Sequence, residues 1–217
     1  MNIAVLVSGG GTNLQAIIDQ IRDGRLPGVR ISLVISSNPG AFAIKRAEAE
    51  GIPIRVFSRK NYSGGGEYDA EVLSALIESK AELVVLAGFL SLLGPKVTRH
   101  YTNRIINVHP ALIPSFCGPG MYGIKPHQAV LARGVKVSGA TVHFVNENYD
   151  EGPIISQKAA EVLPDDTAES LQQRIMTECE QVLLPEVIRL IADNRIQIVD
   201  NIVTVLAEQD TAGKENL

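Results

Sequence analysis

Asn107 and His109 stand two residues apart in the stretch 105–114, Ile-Ile-Asn-Val-His-Pro-Ala-Leu-Ile-Pro. Ile105, Ile106 and Val108 are β-branched and apolar, so the stretch opens as a strand, and Pro110 ends its ladder. The spacing of two puts Asn107 and His109 on one face. An amide there can donate to a developing oxyanion, and an imidazole can give or take a proton near neutral pH. The same two residues also make a satisfied couple in an ordinary core. Asp150 is a third polar group. It follows a strand that can lie beside the first, and a carboxylate next to an imidazole fixes its orientation. No Ser or Cys sits in a nucleophile elbow, and no three residues have metal-ligand spacing. Proton transfer with oxyanion stabilisation remains, which suits acyl transfer between two bound substrates. The residues reach that reaction class and do not name the acyl group.

Alternating strands and helices must position the three. Residues 3–7 are a short aliphatic run, read as a buried strand. Ser8-Gly9-Gly10-Gly11-Thr12-Asn13 follows at once, and Leu14, Ile17, Ile18 and Ile21 then recur at helical spacing. A strand, a glycine-rich turn and a helix present free backbone N–H groups to an anion. Thr12 or Asn13 can cap that helix or meet a phosphate oxygen. The pattern is neither the full dinucleotide fingerprint nor a P-loop, and a tight turn without a ligand is the plain alternative.

Strands over 29–35, 53–57 and 83–87 alternate with helices over 41–50 and 67–80, and residues 58–66 read as a polar surface loop. This is an α/β chain with a Rossmann-like, doubly wound, mostly parallel sheet. Residues 88–95 follow a strand's carboxyl end, where such sheets bind ligands; a core-packed loop is the alternative. Residues 95–101 and 126–133 read as helices. Strands over 136–144 and 154–160 add an antiparallel C-terminal part. Residues 168–194 read as a long C-terminal helix bent at Pro185. Residues 196–206 form a strand or hairpin, and 209–217 a polar, frayed end.

At 217 residues, 45% apolar and 20% charged, the chain can bury a core as one domain. A net charge of −4 offers no general attraction to nucleic acid or an anionic membrane, so an anionic ligand needs local groups. No apolar run reaches spanning length, and the first residues carry no secretion signal. Cys117 and Cys179 lie far apart without zinc spacing, which fits a reducing cytoplasmic setting.

Four motifs, in order and at matching spacing, carry a resemblance. They are Val5-Leu6-Val7-Ser8-Gly9-Gly10-Gly11-Thr12-Asn13-Leu14-Gln15-Ala16-Ile17-Ile18, then Val85-Leu86-Ala87-Gly88-Phe89-Leu90, then Asn107-Val108-His109-Pro110-Ala111-Leu112-Ile113-Pro114. The fourth is Gly139-Ala140-Thr141-Val142-His143-Phe144-Val145 with Asp150-Glu151-Gly152-Pro153-Ile154-Ile155. Together they resemble the phosphoribosylglycinamide formyltransferase family, folate-dependent enzymes of purine synthesis, to about residue 194.

The resemblance implies transfer of a formyl group from 10-formyltetrahydrofolate, the co-substrate, to the amine of glycinamide ribonucleotide through a tetrahedral intermediate. No metal is implied. Asn107, His109 and Asp150 match the family's catalytic trio: the first two stabilise the oxyanion, and Asp150 keeps His109 charged and, with an ordered water, relays the proton. Gly11, Thr12 and Asn13 match its phosphate loop, and Glu180 a carboxylate on the ribonucleotide. Leu90, Ser91, Leu92 and Leu93, with Asn146, Glu147, Asn148, Tyr149 and Asp150, match its folate pocket; His143 matches a histidine lining the site. The domain then runs over 1–194, with a nucleotide-binding half to about 104, a folate and catalytic half from 105, and an extension over 195–217. The implied partners are these two small molecules, with no nucleic acid or membrane; the chain acts as a monomer or homodimer. The chain departs from the family pattern at Gly65, where an arginine is usual, at Ala111, and around Lys125 and His127.

Two related activities and one binding role compete. A tRNA formyltransferase would add a basic C-terminal domain. A formyltetrahydrofolate deformylase would use water as acceptor, for which a phosphate loop has no purpose. A non-catalytic nucleotide-binding module would have no need of Asn107, His109 and Asp150 together.

Overall fold

The computed structural model describes residues 1–148 and 150–207. In chain order its elements are β1 (Asn2–Val7), α1 (Thr12–Arg22), β2 (Arg30–Ser36), α2 (Phe42–Ala49), β3 (Ile54–Val56), α3 (Gly65–Glu78), β4 (Leu83–Leu86), α4 (Pro95–His100) and β5 (Ile105–His109). Then come α5 (Lys125–Arg133), β6 (Val137–Phe144), β7 (Ile154–Glu161), α6 (Ala168–Ile175), α7 (Gln181–Ala192), β8 (Ile196–Val199) and β9 (Ile202–Val205).

Seven strands form one sheet in the order β3-β2-β1-β4-β5-β6-β7. The pairs from β3 to β5 are parallel, and β5–β6 and β6–β7 are antiparallel. This is the doubly wound sheet with an antiparallel end that the strand–helix alternation predicts. The short apolar strands are buried on both faces, as parallel strands between helices must be. Ile3, Val5 and Val7 pack toward α1, α2, α6 and α7, while Ala4 and Leu6 pack toward α3 and α4. β8 and β9 pair as a hairpin, and Ile196, Ile198 and Val203 pack it on the first of these clusters.

Two local expectations change. Residues 58–66 are not a loop throughout: a 3-10 turn spans Arg59–Asn61, and α3 begins at Gly65. The long C-terminal helix changes winding at a π turn over Met176–Glu180, and α7 runs on through Pro185. Periodicity alone cannot register one extra residue in a helical turn. The polar end over 209–217 lies outside the described residues.

Two loop connections are fixed by close polar contacts. Asp69 is buried, and its carboxylate accepts from the amides of Gly94 (2.8 Å) and Lys96 (2.7 Å), satisfying the start of α4. Toward the antiparallel edge, the loop between β6 and β7 is closed at its base, where Phe144 N–H donates to Pro153 O (2.9 Å). Gly152 passes so near that a Cβ on it would lie 1.8 Å from Phe144 O.

Gly152→Ala is therefore expected to push the loop off β6, at a cost of roughly 1–3 kcal/mol, or several degrees in Tm. A thermal melt unchanged from the native protein would contradict this close approach.

Candidate functional site

The strand order reverses at β1, whose neighbours β2 and β4 carry the chain away in opposite directions. Loops leaving the carboxyl ends of β1 and β4 thus part and leave a crevice. A cleft of about 480 Å³ lies there. Residues 9–13 form one rim and 88–93 another; Asn107 and His109 at the end of β5 line the same cleft, beside His143 of β6.

Antiparallel register sets the centre. Asn107 pairs with His143 and His109 with Thr141, so Asn107 and His143 are opposite one another. Beside His143 the register with β7 slips, a bulge of the kind that re-aims side chains at sheet ends. His143 Nδ1 lies 2.8 Å from the Phe144 carbonyl. A carbonyl only accepts, so Nδ1 carries the hydrogen and Nε2 is left to accept from Asn107 Nδ2 at 3.2 Å. One hydrogen of the Asn107 amide is thereby held, and the second is free to donate into the cleft. His109 is fixed in the same way. Its Nε2 is 2.9 Å from the Phe116 carbonyl, so Nε2 is the N–H and Nδ1 is the nitrogen that gains or loses a proton.

Asp150 faces the second nitrogen of each ring. Its Oδ2 is 3.8 Å from His109 Nδ1 and its Oδ1 is 3.6 Å from His143 Nε2. Oδ2 also accepts from Gly118 N–H at 2.7 Å. Asp150 and Phe116 have φ of 53°, left-handed backbone that costs a non-glycine residue about 1–2 kcal/mol. Both are held there by the contacts just named. Burial keeps the His143 imidazole below its ordinary range, against the pull of the Phe144 carbonyl and of Asp150.

The first rim is built by close approach. Gly11 has φ 71°, and a Cβ on it would lie 2.6 Å from Ala43 Cβ, so only glycine fits the turn into α1. Gly11 itself caps α1, and neither Thr12 nor Asn13 caps it through a side chain. Thr12 Oγ1 donates to Met176 Sδ (3.0 Å) and Asn13 Nδ2 to Glu180 Oε2 (2.7 Å). The π turn thus brings Met176 and Glu180 against this rim. Burial pushes the Glu180 carboxyl up, and the Asn13 hydrogen bond opposes it. The first-turn amides of α1 have no preceding carbonyl to pair with, and a helix start of this kind can receive an anion.

On the second rim Leu90 and Leu92 are exposed and Leu93 is buried; Ser91 lines the cleft with them. Leu90 N–H donates to Ser8 Oγ (2.8 Å), and Arg59 Nη1 donates to Leu92 O (3.3 Å). Asn146, Glu147 and Asn148 reach the same cleft. Asn146 Oδ1 accepts from Asn148 N–H, and the Glu147 carboxylate is paired with Arg99 at the surface (2.7 Å). Tyr149 lies outside the described residues. Among the described residues no group of three or more His, Cys, Asp or Glu could hold a metal ion, and no helix is long and apolar enough to cross a membrane.

Motif spacing did not find the loop contacts of Phe116 and Gly118, because backbone groups leave no mark in a sequence. Nor did it find His127 in this role. That side chain is fully buried in the first turn of α5 at the cleft wall, and neither ring nitrogen has a partner among the described residues. Burial, reinforced by nearby His109, pushes it down to about 4. Its signal in sequence was a histidine opening a helix after a glycine-rich loop.

A formyl transferase family model matches residues 1–188. The chain is 39% identical over 196 residues to the chloroplastic phosphoribosylglycinamide formyltransferase of Arabidopsis thaliana, covering 90% of this chain but just under two thirds (66%) of that protein. It is 38% identical over 200 residues to the phosphoribosylglycinamide formyltransferase of Haemophilus influenzae, covering 92% of this chain and 91% of that one. The crystal structure of glycinamide ribonucleotide transformylase 1 from Symbiobacterium toebii is similar with a TM-score of 0.89 at 40% identity, covering 95% and 94% of the two chains.

His127 titrates near 4 in the folded chain against 6.5 for a free imidazole, so the folded state binds fewer protons between those values. Stability is therefore lost as pH falls through this window, and His143 acts in the same direction. His127→Phe is expected to flatten the fall in Tm between about pH 7 and pH 5. A slope identical to that of the native protein would show that His127 is not held neutral.

Proposed function

This chain belongs to the formyl transferase family, and from that premise we propose that it transfers the formyl group of 10-formyltetrahydrofolate to the amine of glycinamide ribonucleotide in purine biosynthesis. It is a transferase, and its relatives over most of its length are phosphoribosylglycinamide formyltransferases. One observation carries the reading: Asn107, His109 and Asp150 line one cleft together with the glycine-rich rim of residues 9–13 and the rim of residues 88–93.

The ribonucleotide phosphate sits on the amides of Gly11, Thr12 and Asn13, with Glu180 accepting from its sugar hydroxyls. The folate heterocycle lies along residues 90–93, where Leu90 and Leu92 offer apolar surface and the backbone offers hydrogen bonds; residues 146–150 line the same pocket. A cleft of about 480 Å³ suits such a small-molecule pair. As the amine bonds to the formyl carbon, negative charge grows on the formyl oxygen. The second hydrogen of Asn107 Nδ2 and the proton on His109 Nδ1 stabilise that oxygen. The Asp150 carboxylate, 3.8 Å from Nδ1, offsets the imidazolium charge and hands on the proton that leaves the amine and must reach the departing folate nitrogen. His143 holds Asn107 in register.

Residues 1–194 act as one formyltransferase domain, the chain works in the cytoplasm as a monomer or homodimer, and its partners are these two small molecules, without metal or nucleic acid. Hydrolysis of the donor by water, the deformylase reaction, leaves the anion-binding rim without a purpose.

An absorbance assay with a 10-formylfolate donor is expected to show turnover only when glycinamide ribonucleotide is present. Formyl loss without the acceptor would mean hydrolysis instead. Asp150→Asn is expected to lower kcat by roughly 10²–10⁴ while ribonucleotide Kd changes little. Equal losses in both would remove Asp150 from proton transfer.

A further inference from the structure

Ser8 is the first residue after β1 and is only 8% exposed. Its Oγ accepts from Leu90 N–H (2.8 Å) and lies 2.5 Å from Ser37 Oγ. A hydroxyl has one hydrogen, so having accepted from Leu90 it can give that hydrogen to Ser37. Its own carbonyl accepts from Asn38 Nδ2 (3.4 Å). The loops after β1, β2 and β4 therefore meet on one side chain. Covalently, Ser8 directly precedes the rim that receives the phosphate. Through Leu90, it holds the opening of the rim that receives the folate.

We propose that Ser8 is a positioning residue that couples the two substrate sites, so that binding of either substrate prepares the rim for the other. The inference rests on the assignment of one rim to the phosphate and the other to the folate. A phosphate on the amides of residues 11–13 draws the backbone of residues 8–11 into one conformation, which fixes Ser8 Oγ. Leu90 N–H is then held before the folate arrives, and the ordering cost of that loop is already met. Linkage requires the same effect in reverse: the folate, by fixing Leu90, steadies Ser8 and the phosphate rim.

Tetrahydrofolate with glycinamide ribonucleotide cannot react, so binding is measurable apart from turnover. In the native protein, calorimetry is expected to show tetrahydrofolate binding about fivefold tighter when the ribonucleotide is saturating, the scale of one net hydrogen bond. Hydrogen exchange at the Leu90 amide should slow when the ribonucleotide alone is added. Ser8→Ala should abolish both effects and raise the donor KM more than it lowers kcat. Ser8→Thr, which keeps the hydroxyl, should restore them, and Ser37→Ala should retain the Leu90 protection. Absence of coupling in the native protein, or coupling that survives Ser8→Ala, would overturn the inference even without regard to folding of the variants. Native protein that turns over only with the ribonucleotide present, yet shows no coupling, would overturn this inference alone; absence of that turnover would overturn the function itself.

Discussion

Asp150 brings a negative charge to a place where 14% of its side chain remains exposed, and every group around it answers that charge. The Gly118 amide donates to one oxygen, while His109 Nδ1 and His143 Nε2 lie within 4 Å of the pair. With the His109 imidazole neutral, its Nδ1 lone pair and the Asp150 carboxylate would face each other in a poorly solvated space. One added proton removes that conflict. Because the other nitrogen of each ring is already committed to a carbonyl, the proton has a defined place to go. The loop over residues 116–118, the bulge beside His143 and the left-handed backbone of Asp150 are all consequences of building that arrangement.

The sheet supplies what the carboxylate cannot. Asn107 and His143 face each other because the antiparallel register of β5 and β6 sets them opposite one another. Upstream, the parallel half ends in two loops that part at β1. One half thus offers the two rims of the cleft and the other offers opposed side chains, and Asn107, His109 and Asp150 stand at their seam.

How much of this could be read from the residues alone depends on whether side chains or backbone carry the information. The strand pair behind Asn107 and His109 was legible because β-branched runs and a terminating proline are local signals. The glycine turn into α1 was legible because strand, glycines and helical spacing are contiguous. The π turn over Met176–Glu180 was not, since its periodicity differs from an α-helix by a single residue. The carbonyls of Phe116 and Phe144, which decide the tautomers, belong to the backbone and carry no residue signature. His127 was visible as a residue, but its complete burial follows from the packing of α5, which no spacing states.

The π turn has a consequence for helical phase. An α-helix advances about 100° per residue, so one residue added within a turn shifts everything beyond it by that angle. Leu171 and Ile175 before the turn and Leu183, Leu184, Val187 and Ile188 after it all pack in the same core. Glu180, between them, faces Asn13. Deleting a single residue from this turn would leave the chain a choice of two errors: α7 rotated off the sheet, or a carboxylate carried away from Asn13 and the glycine-rich rim. The extra residue is what lets one helix keep time with the core on both sides while missing a beat at the ligand.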